Sequence, residues 1–190
     1  MIYVLGVCGS PRVGGNTERL VLEALKAAEE EGAQTELVRL AEKEVKPCDG
    51  CRSCKTTEQC HKKDDFKAIY KKMIKADGII LSSPVYFGSA TPQIKALIDR
   101  AGYFSNQTGR AFENKVGGAM VVARRAGHNF TFAQLLFFFL HQGMIVPGST
   151  YWNIAFGREK DEVTKDDEGM RTARNFGKRM VWLIKKIKNA

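Results

Sequence analysis

The sequence predicts a doubly wound α/β domain, in which helices cover both faces of a five-stranded parallel sheet. Short apolar runs bounded by turn residues alternate with amphipathic stretches, as in successive strand–helix units. The length of 190 residues suits one such domain, residues 1–190, with a sizeable core. Hydrophobic residues make up 44% of the chain, which favours a folded protein over a disordered one.

The alternation assigns five strands and five helices. The predicted strands are residues 2–6, 34–39, 78–82, 117–123 and 144–146. The predicted helices are residues 17–31, 64–75, 91–100, 129–142 and 166–189. A sheet of this kind binds its ligand outside the carboxyl ends of its strands, where the strand order reverses. We therefore expect a ligand at the loops after the first, third and fourth strands.

An anion-binding turn is predicted after the first strand. The segment GSPRVGGNT, residues 9–17, leads into a helix whose first N–H groups lack partners and favour an anion. Gly15 allows a tight turn, Arg12 adds charge, and the side chains of Ser10, Asn16 and Thr17 add donors. The Walker A and dinucleotide-binding spacings are both missing. The alternative is a glycine-rich turn in which Thr17 is an ordinary N-cap.

A flat apolar slot is predicted after the third strand. There the chain reads SSPVYFGSATPQ, and Pro84, Tyr86, Phe87 and Gly88 could supply a wall and backbone donors for a planar ligand. The alternative is that the two aromatic residues belong to the core.

Together, these two stretches resemble those of the NADPH-dependent FMN reductases and flavodoxin-like proteins. The matching text is GSPRVGGNTERL and SSPVYFGSATPQIKALIDR. The resemblance implies a flavodoxin-like fold and FMN, whose phosphate would lie at Ser10, Arg12, Asn16 and Thr17. It implies an isoalloxazine ring near Pro84, Val85, Tyr86, Phe87 and Gly88.

A pair of arginines follows the fourth predicted strand. Arg124 and Arg125 replace the glycine-rich stretch that relatives have here. A cation at this position would stabilise a reduced anionic flavin. Solvated surface arginines are the alternative.

Four of the five cysteines form the pattern C-x2-C-x2-C-x5-C: Cys48, Cys51, Cys54 and Cys60. They lie in residues 41–63, a segment without periodicity between the second strand and the second helix. Because the N-terminus does not have the pattern of a signal peptide, the cysteines favour metal or redox chemistry over disulfides. Successive C-x2-C steps resemble runs that ligate iron–sulfur clusters. Structural zinc, a redox dithiol and unligated thiols are the alternatives. Cys8 stands apart and is predicted to be a buried small hydrophobic residue.

The cysteine spacing and the two FMN motifs together resemble the iron–sulfur flavoproteins of anaerobic archaea and bacteria. The resemblance implies that the four cysteines ligate a [4Fe–4S] cluster. It implies electron transfer, through FMN, between a ferredoxin-like or other redox protein and an acceptor. It further implies a homodimer or a homotetramer.

The segment 130–140 favours an oligomer independently of the resemblance. It carries five phenylalanines, which would place apolar side chains on nearly all sides of one helix. Tyr151, Trp152 and Phe156 follow soon after. An apolar patch larger than the sheet can cover normally marks an interface.

Composition excludes other classes of function. The longest apolar run, residues 135–140, is too short to span a membrane, and we expect a cytoplasmic protein. The net charge of +9 fits either an acidic partner or a solvated surface, and no nucleic-acid motif accompanies it. No catalytic side chain is predicted. The alternatives to electron transfer are an NAD(P)H-dependent FMN or quinone reductase without a functional cluster, and a non-enzymatic module that docks a partner through a zinc-bound loop.

Overall fold

A computed structural model describes residues 1–189, and its centre is a parallel sheet with the strand order β2-β1-β3-β4-β5. The five strands are β1 (Ile2–Cys8), β2 (Ala33–Arg39), β3 (Gly78–Pro84), β4 (Val116–Ala123) and β5 (Ile154–Phe156). The order reverses between β1 and β3, so the predicted doubly wound, flavodoxin-like sheet is confirmed. Every residue of β4 is buried, as expected of a strand covered on both faces.

Within residues 1–189, six helices surround the sheet. They are α1 (Asn16–Glu30), α2 (Ser53–Thr57), α3 (Phe66–Lys75), α4 (Pro92–Gln107), α5 (His128–His141) and α6 (Asp167–Lys188). Short 3-10 turns span Leu40–Glu42 and Glu162–Lys165. The apolar residues of α1 and α6 form one buried cluster with one face of the sheet, while those of α3, α4 and α5 form another with the opposite face.

The contact between α1 and α6 depends on one glycine. A Cβ atom built on Gly177 would lie 2.1 Å from the backbone carbonyl oxygen of Ala24. Because no side chain separates the two backbones there, the helices approach each other closely over the sheet.

The fifth strand differs from its prediction. The structure has β5 at Ile154–Phe156, beside the carboxyl-terminal half of β4, and not at residues 144–146. The predicted segment does lie along β4, where Ile145 pairs with Val116 in an isolated parallel bridge. Pro147 and Gly148 follow, and the chain leaves the sheet before it returns at Ile154. Two segments therefore pair with β4 at this edge of the sheet: Ile145 forms an isolated bridge, and Ile154–Phe156 forms strand β5.

The segment 41–63, hereafter the cysteine segment, follows edge strand β2 as predicted. It contains the short helix α2, which the sequence did not predict. Helix α4 also continues to Gln107, beyond its predicted end at residue 100.

Helix α5 divides its apolar residues between the core and the surface. Leu135, Phe138 and Phe139 are buried against the sheet, whereas Phe130, Phe137 and Leu140 are each more than half exposed. Tyr151, Trp152 and Phe156 are also exposed. We call Phe130, Phe137, Leu140, Tyr151, Trp152 and Phe156 the aromatic surface.

Among the helices of residues 1–189, none combines the length and the apolar composition that crossing a bilayer requires.

Candidate functional site

A cavity of about 450 Å³ opens at the carboxyl ends of the strands, and we call it the sheet-edge cavity. Its lining comes from the four loops after β1, β3, β4 and β5. The lining residues are Ser10, Arg12, Val13, Gly14, Gly15, Asn16, Thr17, Pro84, Val85, Tyr86, Val122, Ala123, Arg124, Gly157, Arg158 and Lys160. All the predicted cofactor-binding residues are among them except Phe87 and Gly88.

The loop after β1, residues 9–17, is the glycine turn. Gly14 has a φ of +68°, a value that favours glycine, and its N–H donates to Glu18 Oε2 at 2.8 Å. The Ser10 hydroxyl accepts a hydrogen bond from the Arg12 N–H at 3.1 Å, which closes the turn. Gly15 is the N-cap of α1 and provides no side chain to bond the first N–H groups of that helix. These groups and the exposed Arg12 side chain suit an anion in the cavity.

Asn16 lines the sheet-edge cavity and also makes contacts that the sequence did not predict. Its side-chain Nδ2 donates to the Glu159 carbonyl oxygen at 2.8 Å, and its Oδ1 accepts from the Val163 N–H at 3.2 Å. The amide therefore ties the glycine turn to the loop after β5. Thr17 lines the cavity but is otherwise buried.

An ion pair between the buried Glu18 and the half-buried Arg39 supports the glycine turn. The Glu18 carboxylate is only 4% exposed and accepts a hydrogen bond from Arg39 Nε at 2.8 Å. Burial alone would raise the pKa of Glu18, but the hydrogen bonds from Arg39 and from the Gly14 N–H hold that pKa below its ordinary value. The carboxylate consequently stays charged and keeps the Gly14 N–H in place.

The loop after β3 forms a tight turn, here called the aromatic turn (residues 85–89). Tyr86 and Ser89 exchange both of their backbone hydrogen bonds, and Phe87 and Gly88 form the tip with φ values of +49° and +79°. Phe87 is fully exposed there and does not line the cavity. A bulky residue with positive φ is uncommon and costs conformational energy. The wall of the cavity comes instead from Pro84, Val85 and Tyr86.

Thr91 joins the two loops. Its hydroxyl donates to the Gly9 carbonyl oxygen at 2.6 Å and caps α4 by accepting from the Ile94 N–H at 3.5 Å. The Thr91 N–H donates to the Ser83 hydroxyl at 2.9 Å. Because Thr91 is fully buried, it fixes the glycine turn relative to the end of β3.

Arg158 and Lys160 line the cavity although the sequence pattern did not single them out. They follow β5, and the rule that ligands bind after the strands would have found them had β5 been placed at its actual position. With the predicted Arg124, they give the cavity a basic rim.

The four clustered cysteines line a second, smaller cavity against α4, which we call the cysteine cavity. Cys48 and Cys51 are exposed, Cys54 is buried and Cys60 is half-buried. The other lining residues are Asp49, Arg52, Ser53, Lys62, Phe66, Arg100, Tyr103 and Phe104. Four sulfur ligands with cations nearby are a donor set suited to iron or zinc.

The backbone of the cysteine segment turns sharply at three places. Gly50, Arg52 and Glu58 have φ values of +68°, +61° and +50°. The latter two flank α2, which carries Cys54. These turns bring cysteines from both sides of α2 to one cavity.

A second set of ligand atoms lies at the edge of this cavity. One atom each from Asp49, Cys51 and His61 lie within 4.8 Å of one another, and all three residues are exposed. The pKa of Asp49 lies below its ordinary value, mainly because Lys62 donates a hydrogen bond to the carboxylate. His61 contacts the same carboxylate at 3.0 Å. This set suits a divalent metal ion, and the cysteine pattern in the sequence did not indicate it.

Cys8 is separate from both cavities. It is 1% exposed at the end of β1, and burial raises the pKa of its thiol to about 11. The prediction of a buried, small hydrophobic residue is confirmed.

The sheet-edge cavity and the cysteine cavity share no lining residue, so the two candidate sites are formed by different parts of the chain.

Comparisons with known proteins bear on both cavities. Residues 2–159 match the family described as NADPH-dependent FMN reductase. An iron–sulfur flavoprotein of Methanocaldococcus jannaschii is 45% identical over 97% of this chain and 98% of its own length. An iron–sulfur flavoprotein of Methanosarcina thermophila is 36% identical over 97% of this chain and 96% of its own length.

Two solved structures share the fold. RosB with a bound intermediate superposes with a TM-score of 0.81 at 18% identity, over 100% of this chain and 81% of that one. A flavodoxin, WrbA-like, from Agrobacterium tumefaciens gives a TM-score of 0.67 at 16% identity, over 98% of this chain and 99% of that one.

Proposed function

The chain belongs to the NADPH-dependent FMN reductase family and to the iron–sulfur flavoproteins, and from this premise we propose an electron-transfer protein with two redox groups, FMN and a [4Fe–4S] cluster. It is a flavin-dependent oxidoreductase. In the proposal it carries electrons between a ferredoxin-like or other redox protein and an acceptor.

The sheet-edge cavity fits FMN. The uncapped start of α1 and the Arg12 guanidinium suit the phosphate. Pro84, Val85 and Tyr86 form an apolar wall suited to the ring, and Arg124 is available at the rim. When bound, FMN supplies a ring that takes up and releases electrons singly or in pairs.

Cys48, Cys51, Cys54 and Cys60 match the ligand set of an iron–sulfur cluster. The cavity that they line measures about 20 Å³, so the exposed part of the segment that carries Cys48 and Cys51 would open to admit a cluster. Four cysteines from a short segment line one cavity, and this shared lining is the observation that carries the proposal. Nearby cations, including Lys62 and Arg100, offset the negative charge of four thiolates. The cluster, when bound, supplies one-electron chemistry.

The proposed partner is an acidic redox protein. The chain has a net charge of +9, and three exposed arginines and one exposed lysine line the sheet-edge cavity: Arg12, Arg124, Arg158 and Lys160. Complementary charge would accelerate association and make it sensitive to salt. A cytoplasmic location remains part of the proposal.

The basic rim supports a second candidate, an NAD(P)H-dependent FMN or quinone reductase that has no functional cluster. In that case Arg158 and Lys160 would bind a phosphate of the nicotinamide cofactor. The alternative rests on their place in the cavity lining and on the family's description.

An absorption spectrum of protein purified without oxygen, with iron, sulfide and zinc analysis, tests the proposal. Flavin bands over a broad iron–sulfur shoulder are the expected result. Flavin bands alone, with rapid bleaching by NAD(P)H, would support the reductase. Zinc without iron would assign the cysteines, or the Asp49, Cys51 and His61 set, to a structural metal.

A further inference from the structure

Arg100 of α4 is a charged residue inside the protein. It is 3% exposed, and a buried charge is costly unless it is paired and hydrogen-bonded. Its Nη1 contacts Asp64 Oδ2 at 2.5 Å and the Lys46 carbonyl oxygen at 3.1 Å. Its guanidinium carbon lies 4.1 Å from the centre of the Phe66 ring. These contacts compensate the buried charge and give Nη1, one of the two terminal nitrogens, its hydrogen-bond partners.

The second terminal nitrogen points at a cysteine. Arg100 Nη2 donates to Cys60 Sγ at 3.1 Å. Within residues 1–189, Cys60 is the one member of the four-cysteine group whose sulfur accepts a hydrogen bond from a charged side chain. Its sulfur therefore has a partner on α4, outside the cysteine segment.

The same contacts close the base of the cysteine segment. Asp64 Oδ2 also accepts the Lys46 N–H at 2.9 Å, so one carboxylate holds both ends of the intervening loop. Asp65 adds a second closure, because it exchanges hydrogen bonds with Glu44 at 2.9 and 3.0 Å. Arg100 joins this closed base to α4. The base of the cysteine segment, four residues from Cys60, is therefore held by residues outside the cysteine pattern.

We infer that Arg100 is a positioning residue for the cluster: it holds the Cys60 sulfur at the cysteine cavity and places a buried positive charge beside it. The inference rests on the proposed function, since it requires the cluster. It goes beyond that function because Arg100 lies outside the cysteine pattern and yet holds one cluster ligand, the Cys60 sulfur.

Two consequences follow for a loaded protein. Hydrogen bonds to ligand sulfurs and nearby positive charge raise the reduction potential of an iron–sulfur centre. A restrained fourth ligand also slows the loss of iron. Arg100 does not line the sheet-edge cavity, so the potential of the flavin is not expected to depend on it.

The test uses three variants of the full chain. Arg100→Met combined with Asp64→Asn removes both members of the ion pair, so no unpaired buried carboxylate remains. Arg100→Lys keeps the charge and loses the forked donor. Arg174→Gln is the control, because Arg174 of α6 pairs with Glu23 and Glu30 on the far face of the sheet.

Each protein is reconstituted with iron and sulfide without oxygen. Iron per FMN is then measured, and the cluster and the flavin are titrated separately by EPR and by absorbance. We expect the double variant to lose iron faster to a chelator and its cluster potential to become more negative, with the flavin potential unchanged. Arg100→Lys should shift the cluster potential in the same direction by less, and the control should match the unsubstituted protein.

The outcomes separate this inference from the proposed function. If the unsubstituted protein takes up no iron–sulfur cluster, the proposed function fails. If it does, and Arg100→Lys keeps both the cluster potential and the rate of iron loss of the unsubstituted protein, the inference is wrong. That variant decides the question even where the double variant does not fold. An equal shift in the flavin and the cluster potentials would likewise overturn it, since it would indicate a general structural effect.

Discussion

Glu18 illustrates how a single residue supports a binding turn without contacting its ligand. One carboxylate oxygen holds the Gly14 N–H, and the other accepts from Arg39 at the end of β2. A carboxylate whose pKa is lower in the folded than in the unfolded protein stabilises the fold above its unfolded pKa. That contribution is lost as the pH falls through the folded pKa.

We therefore predict that acid weakens the glycine turn and that Glu18→Gln removes this dependence. The variant should be less stable than the unsubstituted protein near neutral pH, but its stability should fall less steeply below about pH 4. Urea midpoints and FMN retention across this range measure the effect. The exposed Glu168→Gln should behave like the unsubstituted protein. Parallel pH profiles for Glu18→Gln and the unsubstituted protein would contradict the prediction.

Arg12 and Thr17 are the side chains of the glycine turn on which FMN affinity is predicted to depend. Arg12→Ala removes a charge-assisted contact to the phosphate, and Thr17→Ala removes a hydroxyl donor. Each should weaken FMN binding by about 1–3 kcal/mol. Fluorescence titration of the apoprotein measures this, with the exposed Lys178→Ala of α6 as control. Unchanged affinity in both variants would rule this site out.

Single residues were harder to predict than the loops that carry them. The sequence indicated that the turn after β1 forms part of the cavity, but not that the Asn16 amide bonds the chain at Glu159 and Val163. Those partners are more than 140 positions away in the sequence. Phe87 has the composition of a wall residue, yet it lies fully exposed at the tip of the aromatic turn, with a positive φ, and does not line the cavity.

At the scale of the elements, we predict that the cluster depends on each of the four cysteines of the cysteine segment. Replacing any one of Cys48, Cys51, Cys54 or Cys60 with Ala should abolish or degrade the cluster. FMN should stay bound, because the two cavities share no residue. Cys8→Ala is the matched control, and its iron content should not change. Equal iron in all five variants would mean that these cysteines are not the ligands.

The packing of α1 on α6 gives a prediction about stability. Gly177→Ala would place a methyl group against the Ala24 carbonyl and force the helices apart, so we expect a loss of about 1–3 kcal/mol. Gly148→Ala is the control, because a methyl group added there would have no other atom within 4 Å. Urea denaturation of both variants measures the difference. Equal midpoints would show that the two helices can separate at little cost.

The order of the elements could be predicted from the sequence, because apolar runs and amphipathic stretches alternate clearly. Two elements could not. Strand β5 has three residues, and the more apolar segment at residues 144–146 lies beside it on the same edge. Helix α2 has five residues, too few for a periodic pattern, and it is flanked by non-glycine residues with positive φ, which no propensity indicates.

For the whole molecule, the aromatic surface is the feature that the fold leaves without a partner. Helix α5 buries one apolar side and exposes another, with Phe130 78% and Phe137 66% accessible. A contiguous patch of exposed apolar groups normally marks an interaction site, and we predict that these residues form one. The cysteine segment follows the edge strand β2, and we expect an interface between copies to bring the cluster of one copy near the flavin of the other.

We accordingly predict a homodimer or a homotetramer that buries the aromatic surface. Sedimentation of the unsubstituted protein should show the oligomer, and the double variant Phe137→Asp with Leu140→Asp should dissociate it. Trp182→Asp is the control, since Trp182 is similarly exposed but lies on α6. A clean monomer across micromolar concentrations would exclude the oligomer. The path between the two redox sites would then lie within one chain.

The two edges of the sheet limit how copies can associate. Edge strand β2 carries Glu36, which pairs with Lys72 and accepts from the Tyr3 hydroxyl at 2.6 Å. The opposite edge strand, β5, offers only three residues before the chain turns away. Charged residues and short strands at an edge discourage strand addition, the step by which sheets template aggregates. This protein should therefore resist fibril growth, and its copies should meet through side chains and not by extending a common sheet.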